Sequence, residues 1–340
     1  MEFWLEYAGF LAKTVTVVVA FIAVLVVIVG LRSKEGQAAG YLQVTRLNDF
    51  FRDLRENLQA SVLEKDQLKA LRKAEKRAEK NAHKTEEPRQ RVYVLDFDGD
   101  MRASAGEQLR HEITALLELA TPHDEVVLRL ESGGGMVHSY GLASAQLARL
   151  RDAQIPLTVC VDKVAASGGY MMACLGNRIM ASPFAIVGSI GVVAQMPNFH
   201  RWLQKHSIDF EVLTAGEYKR TLTMFGENTE HGREKFQEDL EITHTLFRDF
   251  VARYRPQLDI MQVSTGEVWL GQAALAVQLI DELKTSDDYL ATRARTADVF
   301  QVRYFEKKTL PERLGLAAAS VADNVLVRWW GRFSQPRFWQ

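Results

Sequence analysis

Pro156-Leu157-Thr158-Val159-Cys160-Val161, followed closely by Val164-Ala165-Ala166-Ser167-Gly168-Gly169-Tyr170-Met171-Met172-Ala173, sets the reading of the whole chain. The first run is short, apolar and rich in β-branched residues, the pattern of a buried strand. Two glycines then permit a sharp turn, and Tyr170 to Leu175 read as the first turns of an apolar helix. A serine on a strand-to-helix turn is pushed out of the backbone beside the helix's free N–H groups, which can hold an oxyanion. Ser167 is therefore a candidate nucleophile. The same residues also read as a tight turn whose serine caps the helix, and this stretch alone leaves both open.

Working outward, strands and helices alternate. Arg91 to Asp98 reads as a strand, Ala105 to Ala120 as a helix, Glu125 to Glu131 as a second strand and Met136 to Asp152 as a helix. Downstream, Arg178 to Ala181 and Ala185 to Val193 are strand material, and a helix at 198–206 leads to a strand at Asp209 to Leu213. Glu230 to Arg255 is a long amphipathic helix, and Gly271 to Leu283 is another. This alternation predicts an α/β body over 91–300 with largely parallel strands.

Gly133-Gly134-Gly135 closes the second strand, at the carboxyl end where α/β folds place their ligands. Glycines there let backbone N–H groups approach a substrate atom, as an oxyanion hole or a phosphate cradle needs. No Lys-Ser or Lys-Thr pair follows and no Gly-x-Gly-x-x-Gly spacing occurs, which removes the nucleotide-binding loops. A serine nucleophile needs a base. Of the eight histidines none sits at a strand end with a carboxylate nearby, and His138 reads as a packed or surface residue. A lysine base must be neutral, so burial has to pull it well below the ~10.4 of the free side chain. Lys219, in Thr214-Ala-Gly-Glu-Tyr-Lys-Arg-Thr221, follows a strand and a turn. A lysine beside an arginine is ordinarily a solvated surface group, so its case depends on pairing with Ser167.

Outside the body, Thr14 to Leu31 is uncharged and long enough to span a bilayer, with Phe10 and Leu11 extending it and Lys13 able to snorkel. The start is acidic, with Glu2 and Glu6, unlike a signal peptide, so residues 1–31 read as an uncleaved membrane anchor spanning about 10–31. Arg32, Lys34 and Arg46 follow the span, and this positive bias leans towards a cytoplasmic body. Residues 32–90 read as a charged helical arm. Leu47, Phe51, Leu54, Leu58 and Val62 form one apolar stripe in a helical pattern from Leu42 to about Lys84, residues 73–80 are polar all round, and Pro88 ends it. The tail at 301–340 carries Trp329 and Trp330 among arginines and reads either as an amphipathic interfacial helix or as a packing tail.

Composition narrows the function class. An apolar content of 47% supports a sizeable core, and a net charge of −1 argues against a nucleic-acid partner. Cys160 and Cys174 sit in apolar runs as small hydrophobes, and neither a disulfide framework nor a metal-binding spacing is present.

Taken together, five stretches resemble the signal peptide peptidase A family of serine proteases, peptidase family S49. They are Arg129 to Val137, Ala165 to Ala173, Ser182 to Val192, Ala215 to Arg220 and Val268 to Ala274, in the family's order. The 52 residues from Ser167 to Lys219 match the separation of the family's catalytic pair. The resemblance covers about residues 90–285. It implies Ser167 as nucleophile, Lys219 as general base and proton donor, Ser189 as the hydroxyl that orients the lysine, and the N–H groups of Gly134 and Gly168 as the oxyanion hole. It also implies the fold shared with caseinolytic protease and crotonase, a spiral of ββα units, and the absence of any cofactor or metal. The caseinolytic branch has a histidine in the region of 187–193; none is present here. One departure is Gly133, where the family usually has proline. The family further implies homo-oligomers that enclose the sites, a bacterial inner-membrane location, and membrane-associated peptide or protein substrates. Two alternatives accompany this reading: a catalytically idle membrane-tethered scaffold of the same family, and a crotonase-like acyl-CoA enzyme, for which the chain shows no nucleotide site.

Overall fold

The structure is a computed structural model that describes residues 10–11, 13–14, 16–17, 40–82 and 89–306. Most of the expected membrane span and of the tail lies outside the described residues; among those described, no helix is long and apolar enough to cross a membrane. Two compact units are present, one of Leu42–Tyr304 and one drawn from Met1–Tyr41 and Phe305–Gln340. In the second, Thr14 Oγ1 donates to the carbonyl of Phe10, and the rings of Tyr41 and Phe305 stack at 5.5 Å.

In chain order the elements are β1 (Tyr41–Arg46), α1 (Leu47–Val62), α2 (Lys65–Ala82), β2 (Arg91–Gly99), α3 (Gly106–Leu117), β3 (Glu125–Ser132), α4 (Val137–Asp152), β4 (Leu157–Val161), β5 (Val164–Ala166) and α5 (Gly168–Ala173). There follow β6 (Arg178–Ala181), β7 (Ile186–Gly188), α6 (His200–Lys205), α7 (Glu230–Tyr254), α8 (Ile260–Val263), β8 (Val268–Leu270), α9 (Gly271–Ala276), β9 (Glu282–Leu283), α10 (Ser286–Thr296) and β10 (Asp298–Phe305).

The mixed α/β architecture expected from the alternation is present. One sheet runs in the order β1-β10-β2-β3-β4-β6-β9, and it forks at β3. The first half of β3 pairs in parallel with β4, from Val126 opposite Leu157 to Arg129 opposite Cys160. Its last residue, Ser132, instead pairs with Ala165 of β5, which continues to β7 and then to the antiparallel β8. The central strands are apolar without alternation because both faces are buried. Along β2, Tyr93, Leu95 and Phe97 join the main core, whereas Val92 and Val94 face a second core with Tyr289 and Leu290 of α10.

Several sequence-based boundaries need correction. Leu42 to Arg46 is strand rather than helix: β1 pairs beside β10, and the alternation of Leu42 and Val44 fits a pleated edge. The helical pattern also breaks at Leu63-Glu64 between α1 and α2. The stripe on α1 divides, with Leu47 and Phe51 packing on the second core while Leu54, Leu58 and Val62 are exposed. Asn48 pins this end, donating to the carbonyls of Ala294 and Ala297 and accepting from the N–H of Val299. The expected strand at Asp209–Leu213 has no strand partner, and strand after Pro183 is confined to Ile186–Gly188. The predicted helix at 271–283 stops at Ala276, and its last two residues form β9.

Candidate active site

Three parallel strand ends meet at the fork. β3 delivers Ser132 and the three glycines, β5 delivers Ser167, and β7 delivers Ser189. Ala166 lies opposite Gly188, and the N–H of Ser167 donates to the carbonyl of Gly188 at 2.8 Å. Ser167 and Ser189 are thus the next residues along two adjacent strands.

Both serines have a backbone that side chains rarely adopt, with φ of 53° at Ser167 and 52° at Ser189. Such strain persists only where the surroundings impose it, and it concentrates at functional sites. At Ser167 the capping reading of the turn is not met. Its side chain makes no capping hydrogen bond to α5, although its carbonyl accepts from the N–H of Met171. The hydroxyls of Ser167 and Ser189 have no hydrogen-bond partner among the described residues, and both residues are half-buried. A serine turned out of a strand-to-helix bend, free of capping duty, is the geometry of a nucleophile elbow.

Gly134 faces this elbow. Its φ is +87°, and a Cβ built there would lie 2.7 Å from Ala166 O, Gly168 N and Ser167 Cβ. Gly134 and the Gly168 amide, the groups expected to form an oxyanion hole, therefore approach each other closely next to the serine. Gly168 is itself constrained, because a Cβ there would collide with the ring of Tyr140. The Gly134 N–H is not free: it donates to Ser132 Oγ at 3.1 Å. Gly133 has no such constraint, since a Cβ there would meet nothing within 4 Å.

Lys219 is placed differently. It sits in an exposed turn, where its N–H donates to the carbonyl of Gly216 at 3.2 Å. Its amino group makes no hydrogen bond or ion pair with any described residue, Ser167 and Ser189 included. The flanking residues touch α7: Glu217 lies 3.6 Å from His231, and the Tyr218 ring lies 5.5 Å from the Lys235 ammonium. The fold thus brings Ser167, Ser189, Gly134 and Gly168 together and leaves Lys219 in water.

Two residues absent from the sequence reading belong to this site, Ser132 and Tyr140. Ser132 had a signal, being the last residue before the glycines. Tyr140 had none, since one aromatic in a helix of small residues looks like ordinary core. His138 is exposed on α4, as a surface histidine would be. Cys160 and Cys174 are buried and unpaired, and burial pushes the Cys160 thiol up to about 12, so neither offers a thiolate. Among the described residues no cluster could hold a metal ion.

Comparison with known proteins shows which families the sequence matches. The description "Peptidase family S49 N-terminal" matches residues 2–147, and "Peptidase family S49" matches residues 149–299. A protein of Haemophilus influenzae described as "Probable protease SohB" is 47% identical over 335 residues, covering 95% of each chain. A "Probable protease SohB" of Buchnera aphidicola subsp. Schlechtendalia chinensis is 45% identical over 305 residues, 86% of this chain and 100% of that one. "Protease 4" of Salmonella typhi is 30% identical over 202 residues, covering 59% of this chain and 32% of that protein.

Proposed function

The chain belongs to peptidase family S49, and from that membership we propose that it is a membrane-anchored serine endopeptidase working through Ser167 and Lys219. The observation that carries the reading is the elbow: a strained, uncapped Ser167 with the amides of Gly134 and Gly168 beside it. In the reaction, neutral Lys219 takes the proton of Ser167 Oγ as that oxygen bonds to the substrate carbonyl carbon. The carbonyl oxygen becomes an oxyanion, held by the N–H groups of Gly134 and Gly168. Lys219 then gives its proton to the departing amine nitrogen as the C–N bond breaks. Water attacks the acyl-enzyme by the same route and restores Ser167. Ser189 orients the lysine amino group; its position one residue past β7, beside Ser167, supports this.

The remaining parts of the proposal follow from sequence. The apolar stretch at about 10–31 anchors the chain in a bacterial inner membrane, with a positive-inside lean to a cytoplasmic body. Its substrates are membrane-associated peptides or proteins, and the working enzyme is a homo-oligomer. The forked sheet is read as the ββα spiral of the caseinolytic protease and crotonase fold.

The test is labelling with a fluorophosphonate together with cleavage of a fluorogenic peptide library in detergent. Wild type should be labelled and active, Ser167→Ala should be neither, and Lys219→Ala should lose turnover. Equal labelling of wild type and Ser167→Ala removes the nucleophile assignment. Full turnover by Lys219→Ala removes the base.

A further inference from the structure

Beneath the two glycine amides lies a buried chain of hydroxyls that the proposed reaction does not use. Gly134 N–H donates to Ser132 Oγ at 3.1 Å, and Ser132 Oγ lies 2.5 Å from Tyr140 Oη. Tyr140 Oη in turn donates to the carbonyl of Asp100 at 2.7 Å. Because that donation uses the tyrosine proton, the Ser132 proton must point at Tyr140 Oη. The direction of the chain is then fixed: Gly134 N–H to Ser132, Ser132 O–H to Tyr140, Tyr140 O–H to the Asp100 carbonyl. Ser132 is 2% and Tyr140 0% exposed, so water does not substitute for either partner.

Tyr140 also reaches the other amide. Its ring fills the space in which a side chain on Gly168 would lie. One side chain thus bears on both walls of the hole, by packing at Gly168 and through Ser132 at Gly134. The surroundings leave the pair little room. A Cβ at Gly99 would fall 2.6 Å from both Ser132 Oγ and Tyr140 Oη, and one at Gly169 would fall 3.2 Å from Ser132 Cβ. Gly133, by contrast, has open space around it. The loop therefore carries a free hinge next to the very amide that must be held.

We infer that Ser132 and Tyr140 are positioning residues that set the orientation of the Gly134 amide and its distance from Gly168, and so the dimensions of the oxyanion hole. The inference rests on the reading of Gly134 and Gly168 as the oxyanion donors. At 3.1 Å the bond to Ser132 lies towards the long end of the N–H···O range and holds the orientation of the peptide plane. An oxyanion, carrying full charge, competes for the same proton with advantage.

The test measures kcat and KM separately, with the rate of fluorophosphonate labelling, for the full chain in detergent. Tyr140→Phe keeps the ring against Gly168 and removes only the hydroxyl. It should lower kcat and the labelling rate in parallel, about tenfold, with KM within about twofold, as expected when transition-state geometry alone is disturbed. Ser132→Ala should do the same, and the double variant should be no worse than the poorer single one, because both cut one chain. A purely structural role would lower the melting temperature without dividing kcat from KM. If Ser167→Ala stays active, the catalytic reading fails and takes this inference with it. If Ser167→Ala is dead while folded Tyr140→Phe and Ser132→Ala keep kcat within twofold, the positioning inference alone is overturned.

Discussion

A methyl group added at Gly134 would fall 2.7 Å from Ala166 O, Gly168 N and Ser167 Cβ, on a backbone whose φ of +87° already disfavours any side chain. Gly134→Ala therefore has to push the glycine loop away from the elbow. Strain of this kind costs about 1–3 kcal/mol. Loss of one oxyanion donor costs about 10²–10³ in kcat. The expected outcome is a folded protein with a somewhat lower melting temperature and turnover reduced at least a hundredfold. A Gly133→Ala control should be nearly neutral, because a Cβ there meets nothing within 4 Å. At this scale the sequence was informative about residue types and silent about their backbone. Ser167 and the glycines stood out because they lie at the carboxyl ends of apolar strands, where α/β folds place their ligands. The positive φ at Ser189, and the collision of Tyr140 with any side chain at Gly168, depend on register between strands that are distant in the chain.

Elements were legible where burial forces a continuous apolar run, as in β2, β3 and β4, or a helical period, as in α4, and misleading where an element is exposed or held by distant contacts. The run before α1 reads in sequence as the start of the helix that follows, yet pairing beside β10 makes it a strand, because an edge site for it exists only once Asp298–Phe305 is in place. Likewise Asp209–Leu213 has a strand's composition but no neighbour. The junction of α3 with β10 carries a prediction of its own. Glu112 is fully buried; its Oε1 accepts from the Tyr304 N–H and from Gln108 Nε2, each at 2.8 Å, while its Oε2 has no partner. Burial pushes its carboxyl up to about 7, with nearby Asp96 adding to the rise and the two hydrogen bonds and Arg303 opposing it. A carboxyl with a raised value in the fold favours its protonated form there. Its contribution is complete below the ordinary glutamate range and is lost as pH rises through about 7. The loss is on the order of 3 kcal/mol for a shift of this size. The melting temperature should therefore fall between pH 5 and pH 8, and Glu112→Gln, which stays neutral, should flatten that fall. A wild-type curve with the same slope as Glu112→Gln would show that Glu112 is ionised throughout.

At the scale of the molecule the two halves of the proposed catalytic pair differ in completeness. The Ser167 elbow is built and braced within one chain, whereas Lys219 stands in water. A lysine becomes an effective base near neutral pH only when it is desolvated or set beside another cation. The segment that carries it also exposes large apolar side chains, among them Val193 (78%), Trp202 (57%) and Leu213 (92%). Phe199, Phe210 and Phe225 gather their rings 5.6–5.9 Å apart in the same segment, so part of this surface is already organised. Apolar surface and an unburied base on one segment have a common remedy, which is cover by a second copy of the chain. In the proposed homo-oligomer, assembly would desolvate Lys219 and complete the site, so activity becomes a property of the assembled form. Two measurements follow. Specific activity should fall on dilution together with the sedimenting mass, while fluorophosphonate-reactive protein stays folded by circular dichroism. Leu213→Asp, which places a charge on the most exposed apolar residue of the segment, should yield a smaller species with native helix content and at least tenfold lower turnover. A fully active monomer would mean that Lys219 is desolvated within one chain by movement of its own segment, and a Leu213→Asp protein that assembles and turns over as wild type does would remove Leu213 from the contact.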